Sequence, residues 1–170
     1  MSLIVESGAG LPDAESYCSV AQADAHFAAR GTTTWATMTE TEKEQALRRG
    51  TDYLEAYYGY RLGGYRVGTV QALSWPRYDA PRRGLATSLW WESNVVPADI
   101  VKACAEAAIR AAAGDIAPDV GRLKSRVKVG PIETEWVAGS SGLTKFTAID
   151  RLMQPFVGGG GSMSMQVVRA

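Results

Sequence analysis

Residues 39–59 constrain the fold more than any other stretch of this chain. Thr39 followed at the third position by Glu42 is a capping box, in which each side chain satisfies the other's exposed backbone donor. Glu40, Glu42 and Glu44 come early and Arg48 and Arg49 later, the order that a helix dipole favours. Ala46, Leu47, Gly50, Tyr53, Leu54 and Tyr57 then trace one apolar face, and Gly59 offers an end. A helix with a single apolar stripe needs a partner to bury it. Two more helices supply candidates. Ser19 and Gln22 form a second capping box, followed by Val20, Ala23 and Phe27 at helical spacing and by Gly31 as a stop. Pro97 fits the first position of a third helix, with a stripe of Ile100, Val101, Cys104, Ala107, Ala108 and Ala111 that Gly114 closes. So many alanines imply close approach to a neighbouring helix or to another subunit.

The intervening sequence is less regular. Residues 1–15 read as an extended arm broken by Gly8, Gly10 and Pro12, and Thr32–Trp35 as a loop. From Tyr60 to Asn94 periodicity is lost, which predicts a long ordered loop of the kind that is usually functional or mobile. Residues 122–137 switch to a period of two. With Gly130-Pro131 as the turn, Lys128 faces Glu133 and Arg126 faces Glu135, while Val127, Val129, Ile132, Thr134 and Trp136 share the other face. Thr147–Met153 predicts a short helix closed by Pro155. The expected class is mainly α: a small helical bundle with one β-hairpin, a long ordered loop and an extended C-terminal arm. We divide it into a body, 1–157, and a Gly-rich linker with docking arm, 158–170.

Composition narrows the function classes. Eighteen basic and eighteen acidic residues leave a formal net charge of zero, so no global field draws the chain onto nucleic acid or membrane. Any nucleic-acid contact needs a local patch. Cys18 and Cys104, far apart and set among small apolar residues, predict two buried thiols in a reducing compartment. The N-terminal residues lack the pattern of a secretion signal, and no apolar run has the ~18 residues needed to cross a bilayer.

Little points to catalysis. His26, the single histidine, is the one candidate base for a Ser–His–Asp arrangement. Ser16, Ser19 and Asp24 are near it in sequence, but no nucleophile-elbow motif accompanies them, and a helix-surface or interface role is expected. No HExxH, CxxC or EF-hand pattern occurs, Gly63-Gly64 lacks the lysine and strand–helix context of a phosphate loop, and no metal or cofactor is expected. The basic–aromatic stretch is more informative. Tyr60, Arg61, Tyr65, Arg66, Arg77, Tyr78, Arg82, Arg83, Trp90 and Trp91 interleave with only Asp79 opposing them in charge across 60–83. Such rings and cations hold single-stranded nucleic acid, and they are equally the residue types of protein–protein hot spots. Some belong to the core, Trp75 before Pro76 being the clearest candidate. The tail is the other unusual element. Gly158 and the run through Gly161 resist regular structure, yet Met163, Met165, Val167, Val168 and Arg169 follow. Thirteen residues from Gly158 can reach roughly 40 Å, which suits an arm that docks on a partner, for example by strand addition.

Four blocks together resemble a known family: Ser16–Phe27, Arg48–Leu54, Gln71-Ala72-Leu73-Ser74-Trp75-Pro76-Arg77, and Val129-Gly130-Pro131-Ile132-Glu133. They are similar to small tailed-bacteriophage proteins often labelled DnaT-like single-stranded-DNA-binding and identified with head–tail connectors, or adaptors. The family pattern usually has alanine where this chain has Gly50, which predicts a helix locally looser by up to ~1 kcal/mol. The resemblance implies a helical bundle without enzymatic activity, assembled as a ring of about twelve copies under the portal. It implies that Gly158–Ala170 grips the portal protein, that the opposite side meets a stopper or tail-completion protein, and that packaged DNA passes through the lumen unread. It implies residence in the virion neck, after assembly in the host cytoplasm. The label itself carries the alternative, a single-stranded-DNA-binding protein that uses the basic–aromatic loop.

Overall fold

A computed structural model describes residues 2–82, 89–118, 126–129, 132–135 and 144–158. Within them the chain is mainly α with small β elements. The helices are α1 (Val20–Ala28), α2 (Thr33–Ala36), α3 (Glu40–Tyr58), α4 (Ala98–Ala113) and α5 (Thr147–Met153), with a 3-10 turn at Gly59–Arg61. Three two-stranded antiparallel ribbons accompany them: β1 (Tyr65–Arg66) with β2 (Arg77–Tyr78), β3 (Pro81–Arg82) with β4 (Leu89–Trp90), and β5 (Arg126–Val129) with β6 (Ile132–Glu135).

Both capping boxes form as the sequence dictates, Ser19 with Gln22 and Thr39 with Glu42. The β5–β6 register is also the expected one, with Arg126 opposite Glu135 and Lys128 opposite Glu133. The core lies between α3 and α4, closed at one end by α5. Ala46, Leu47, Gly50, Thr51, Leu54 and Tyr58 of α3 face Ile100, Ala103, Cys104, Ala107, Ala108 and Ala111 of α4. The alanine stripe thus meets a helix of the same chain. Gly50 sits at the closest approach, where a Cβ would stand 2.7 Å from the Ala108 backbone nitrogen. The glycine therefore admits α4 rather than merely loosening α3.

Four local expectations change. Thr33–Ala36 winds into one turn of helix because Trp35 is drawn into the core, stacking at 4.9 Å on Phe27 and donating its indole N–H to Asp24 at 2.7 Å. Tyr58, not Tyr57, continues the buried face of α3, since it lies one turn beyond Leu54 on the side that α5 covers; its hydroxyl donates to Asp150 of α5. Pro97 caps α4 from just outside the helix. The N-terminal arm folds back onto the body. Val5 bridges Ser16, and the buried Glu6 carboxylate accepts from the backbone N–H groups of Gly8, Gly10 and Leu11 at 2.8–2.9 Å.

Cys18 and Cys104 are both buried and unpaired by disulfide. Burial pushes both thiols up, away from the reactive thiolate. Cys104 instead completes a small polar knot, its sulfur 3.2 Å from the Thr51 hydroxyl and 3.5 Å from that of Ser16.

His26 joins α1 to α4, with Nε2 3.0 Å from the Glu106 carboxylate, which also holds Arg110 at 2.7 Å. Burial pushes the Glu106 carboxyl up; Arg110 and His26 outweigh it, so the group sits below the usual carboxylate range. A depressed pKa contributes stability above the unfolded-state value, and that contribution is lost as pH falls through the folded value. Glu106→Gln is therefore expected to unfold at lower urea than wild type at pH 7, with the gap shrinking below about pH 4 as the carboxylate is protonated. Urea melts at three pH values check this.

Candidate functional site

In the stretch 60–94 the described residues, 60–82 and 89–94, pack against the body rather than forming a loose loop. A hydrogen-bonded hub lashes its first half to α3. The Glu55 carboxylate accepts from the Tyr17 hydroxyl and from both the backbone N–H and the hydroxyl of Ser74, at 3.0 and 2.6 Å. The Tyr17 oxygen in turn accepts the Trp75 backbone N–H at 3.0 Å. Trp75, followed by a cis bond to Pro76, is fully buried; its indole donates to the Val95 carbonyl at 2.6 Å and its ring meets Phe156 edge-on. Gln71 is buried as well, its amide bonded to the carbonyls of Leu73 and Pro76.

This anchoring sorts the basic–aromatic residues into two sets. In the β1–β2 ribbon Arg66 is paired with Arg77, and Tyr65 with Tyr78. Residues directly opposite in an antiparallel pair share a face, and successive residues alternate. The two arginines therefore share one face and the two tyrosines the other, and of the arginines Arg77 is buried while Arg66 stays exposed. Arg77 is buried, donating from Nε to Gly63 O at 2.7 Å, from Nη1 to Ser74 O at 3.0 Å, and from Nη2 to Leu62 O and Gly64 O at 3.3 and 2.6 Å. Burial, then the neighbouring Arg66, holds its guanidinium below the usual arginine range. Arg77 was a candidate contact residue; its donors are instead turned inward, where they tie down the turn that precedes β1. Gly64 completes that turn at φ +77°, where a Cβ would come within 2.2 Å of the Tyr78 carbonyl oxygen.

The outer set is exposed. Tyr65 and Tyr78 keep 72% and 50% of their surface, Tyr60 84% and Trp90 56%. Tyr65 and Tyr78 are cross-strand partners, and both side chains are open to solvent. Arg66 lies at the edge of this face, bonded to the Ser74 hydroxyl at 3.2 Å and 4.0 Å from Glu55. Arg82 stacks its guanidinium 4.5 Å from the centre of the Trp91 ring, and Trp91 is half-buried on Phe156. Arg61 lies 5.8 Å from the ring centres of both Tyr57 and Tyr58. Arg83, and Gly161, Met163, Met165, Val167, Val168 and Arg169 of the tail, lie outside the described residues. Gly158 is still tied to the body, its N–H donating to Arg61 O at 2.7 Å beside the Leu62–Val157 bridge.

Sequence reasoning missed Glu55 and Tyr17, the hub on which the face is built. A tyrosine and a glutamate 38 positions apart give no local signal. Among the described residues no group of three His, Cys, Asp or Glu is placed to hold a metal ion, and no helix is long and apolar enough to cross a membrane. Chemically, the face offers stacking surfaces flanked by guanidinium groups.

A family model described as "Putative DnaT-like ssDNA binding protein" matches residues 1–170. Neither the curated proteins nor the solved structures give a match.

Proposed function

Because the chain belongs to the putative DnaT-like ssDNA binding protein family, we propose that it is a non-catalytic binding protein for single-stranded DNA, and that the outer face of the β1–β2 ribbon is its stacking platform. One observation carries the reading: Tyr65 and Tyr78, cross-strand partners in register and both open to solvent, on a ribbon that is bolted down through the buried Arg77. Base–aromatic stacking contributes ~1–3 kcal/mol per base and tolerates any sequence. Tyr60 and Trp90 extend the exposed aromatic surface, and Arg61, Arg66 and Arg82 supply the local positive charge that the neutral chain as a whole lacks.

Fluorescence anisotropy with a labelled oligothymidylate at low salt tests it. Wild type binds, and binding weakens as salt rises. The Tyr65→Ala, Tyr78→Ala double variant loses roughly 30-fold or more in affinity, about 2 kcal/mol. Both rings being exposed, its melting temperature stays near that of wild type. A wild type that ignores the oligonucleotide, or a double variant that binds as well as wild type, contradicts the reading.

A second reading is favoured by the zero net charge together with the exposed apolar side chains Val70 and Leu89. These side chains, with the exposed aromatic rings, suit a protein contact. Here the chain is a virion neck adaptor: a ring of about twelve copies that uses this face for subunit or neck contacts. Its Gly158–Ala170 arm holds the portal protein, a stopper or tail-completion protein binds opposite, and DNA passes through the lumen. Electron microscopy of purified virions tests this reading. A ring of this chain below the portal supports it, and intact particles without the chain sink it.

A further inference from the structure

We infer that the cavity between the end of α3 and α5 is an oxyanion site that takes a backbone phosphate of the bound strand. The inference rests on the single-stranded-DNA reading above. The cavity measures 460 Å³ and is lined by Arg61, Arg151, Tyr58, Asp150, Gln154 and Gly158. Three features suit it to an anion. Two guanidinium groups line it, and among the described residues neither has a carboxylate within ion-pair distance. Arg61 is oriented in advance, lying 5.8 Å from the ring centres of Tyr57 and Tyr58, so little side-chain freedom is given up when its N–H edge takes an oxygen. Two arginines against the one carboxylate, Asp150, leave the lining a formal charge of about +1, and Asp150 already accepts the Tyr58 hydroxyl. Arg61 lies one residue beyond the exposed Tyr60 and four before Tyr65. A strand stacked on the tyrosines thus has a phosphate receptor close along the chain.

Two measurements on the full chain test this. The first is the shift in melting temperature on replacing chloride by inorganic phosphate at equal ionic strength, for wild type and for the Arg61→Gln, Arg151→Gln double variant. Circular dichroism in chloride establishes that the variant is folded. Wild type is expected to gain a few degrees in phosphate, and the variant to lose that gain. No gain in wild type, or the same gain in both, overturns the site. The second is the salt dependence of oligothymidylate binding, whose slope is expected to fall by about 0.7 in the variant, for the one phosphate that is no longer neutralised. A lost phosphate shift with an unchanged slope overturns the assignment to the DNA backbone and leaves a site for free phosphate. If wild type binds no oligonucleotide while the phosphate shift holds, the single-stranded-DNA reading fails and the backbone assignment with it.

Discussion

Gly50→Ala is expected to destabilise the protein by about 2 kcal/mol, against the direction that helix propensity predicts. In an exposed helix the same change is favourable by up to ~1 kcal/mol. Here the added methyl would stand 2.7 Å from Ala108 N, 3.0 Å from Ala108 Cα and 3.1 Å from Ala107 C. These are backbone atoms, so no rotamer change relieves the clash; α3 and α4 must separate along the alanine stripe. Overpacking a filled core costs typically ~1–3 kcal/mol, and looser packing along the rest of the seam adds to it. For a chain of this size the melting temperature falls by roughly 4–8 °C. Ala56→Gly, at an exposed position of the same helix, is the matching control and costs about 1 kcal/mol by propensity alone. If Gly50→Ala raises the melting temperature, the close α3–α4 packing is wrong.

Arg77→Met is expected to cost about 3 kcal/mol and to abolish ligand binding together with it. The side chain bonds four carbonyls, three of them on consecutive residues 62–64. Methionine fills some of the volume but leaves those acceptors without a donor inside the protein, at about 1 kcal/mol for each buried one and less for the part-buried ones that water can reach. Arg77→Lys rescues little, since an ammonium cannot reproduce the fork of a guanidinium. The loss of binding is indirect, because the turn that Arg77 holds sets the spacing of Tyr65 and Tyr78. Thermal melts separate the two effects. Arg77→Met changes melting and binding, whereas the tyrosine double variant changes binding and leaves melting near wild type. A fully stable Arg77→Met contradicts the role assigned to the buried guanidinium.

What could be read from the sequence was whatever is decided locally. The starts of α1 and α3 depend on residues three positions apart, so Ser19–Gln22 and Thr39–Glu42 announce them. The β5–β6 register was legible because a single slip would misalign both charge pairs. The closing helix before Pro155 was likewise visible. The stretch 60–94 was not. Its first half, residues 60–82, is held by bonds that reach across the chain, from Tyr17 to Glu55 and from Glu55 to Ser74. A string of arginines and aromatics does not declare which members face inward. The register of β1 and β2 set Arg77 against the interior and left Tyr65 and Tyr78 outside, while Trp75 is held inside by bonds to Tyr17 and Val95, and Tyr60 and Trp90 stay exposed on other elements. For the same reason Tyr57 and Tyr58 exchanged roles: adjacent tyrosines at a helix end are separated by what packs beside them, here Asp150 on α5.

The central claim is that the exposed tyrosine ribbon is where the ligand lies. Photo-crosslinking of an oligothymidylate carrying 5-iododeoxyuridine, followed by mass spectrometry of the digested protein, addresses it most directly. The account predicts adducts on Tyr65 and Tyr78, with Tyr60 or Trp90 as neighbours. Adducts confined to α1 and α4, or none at concentrations where binding is measured, would contradict it.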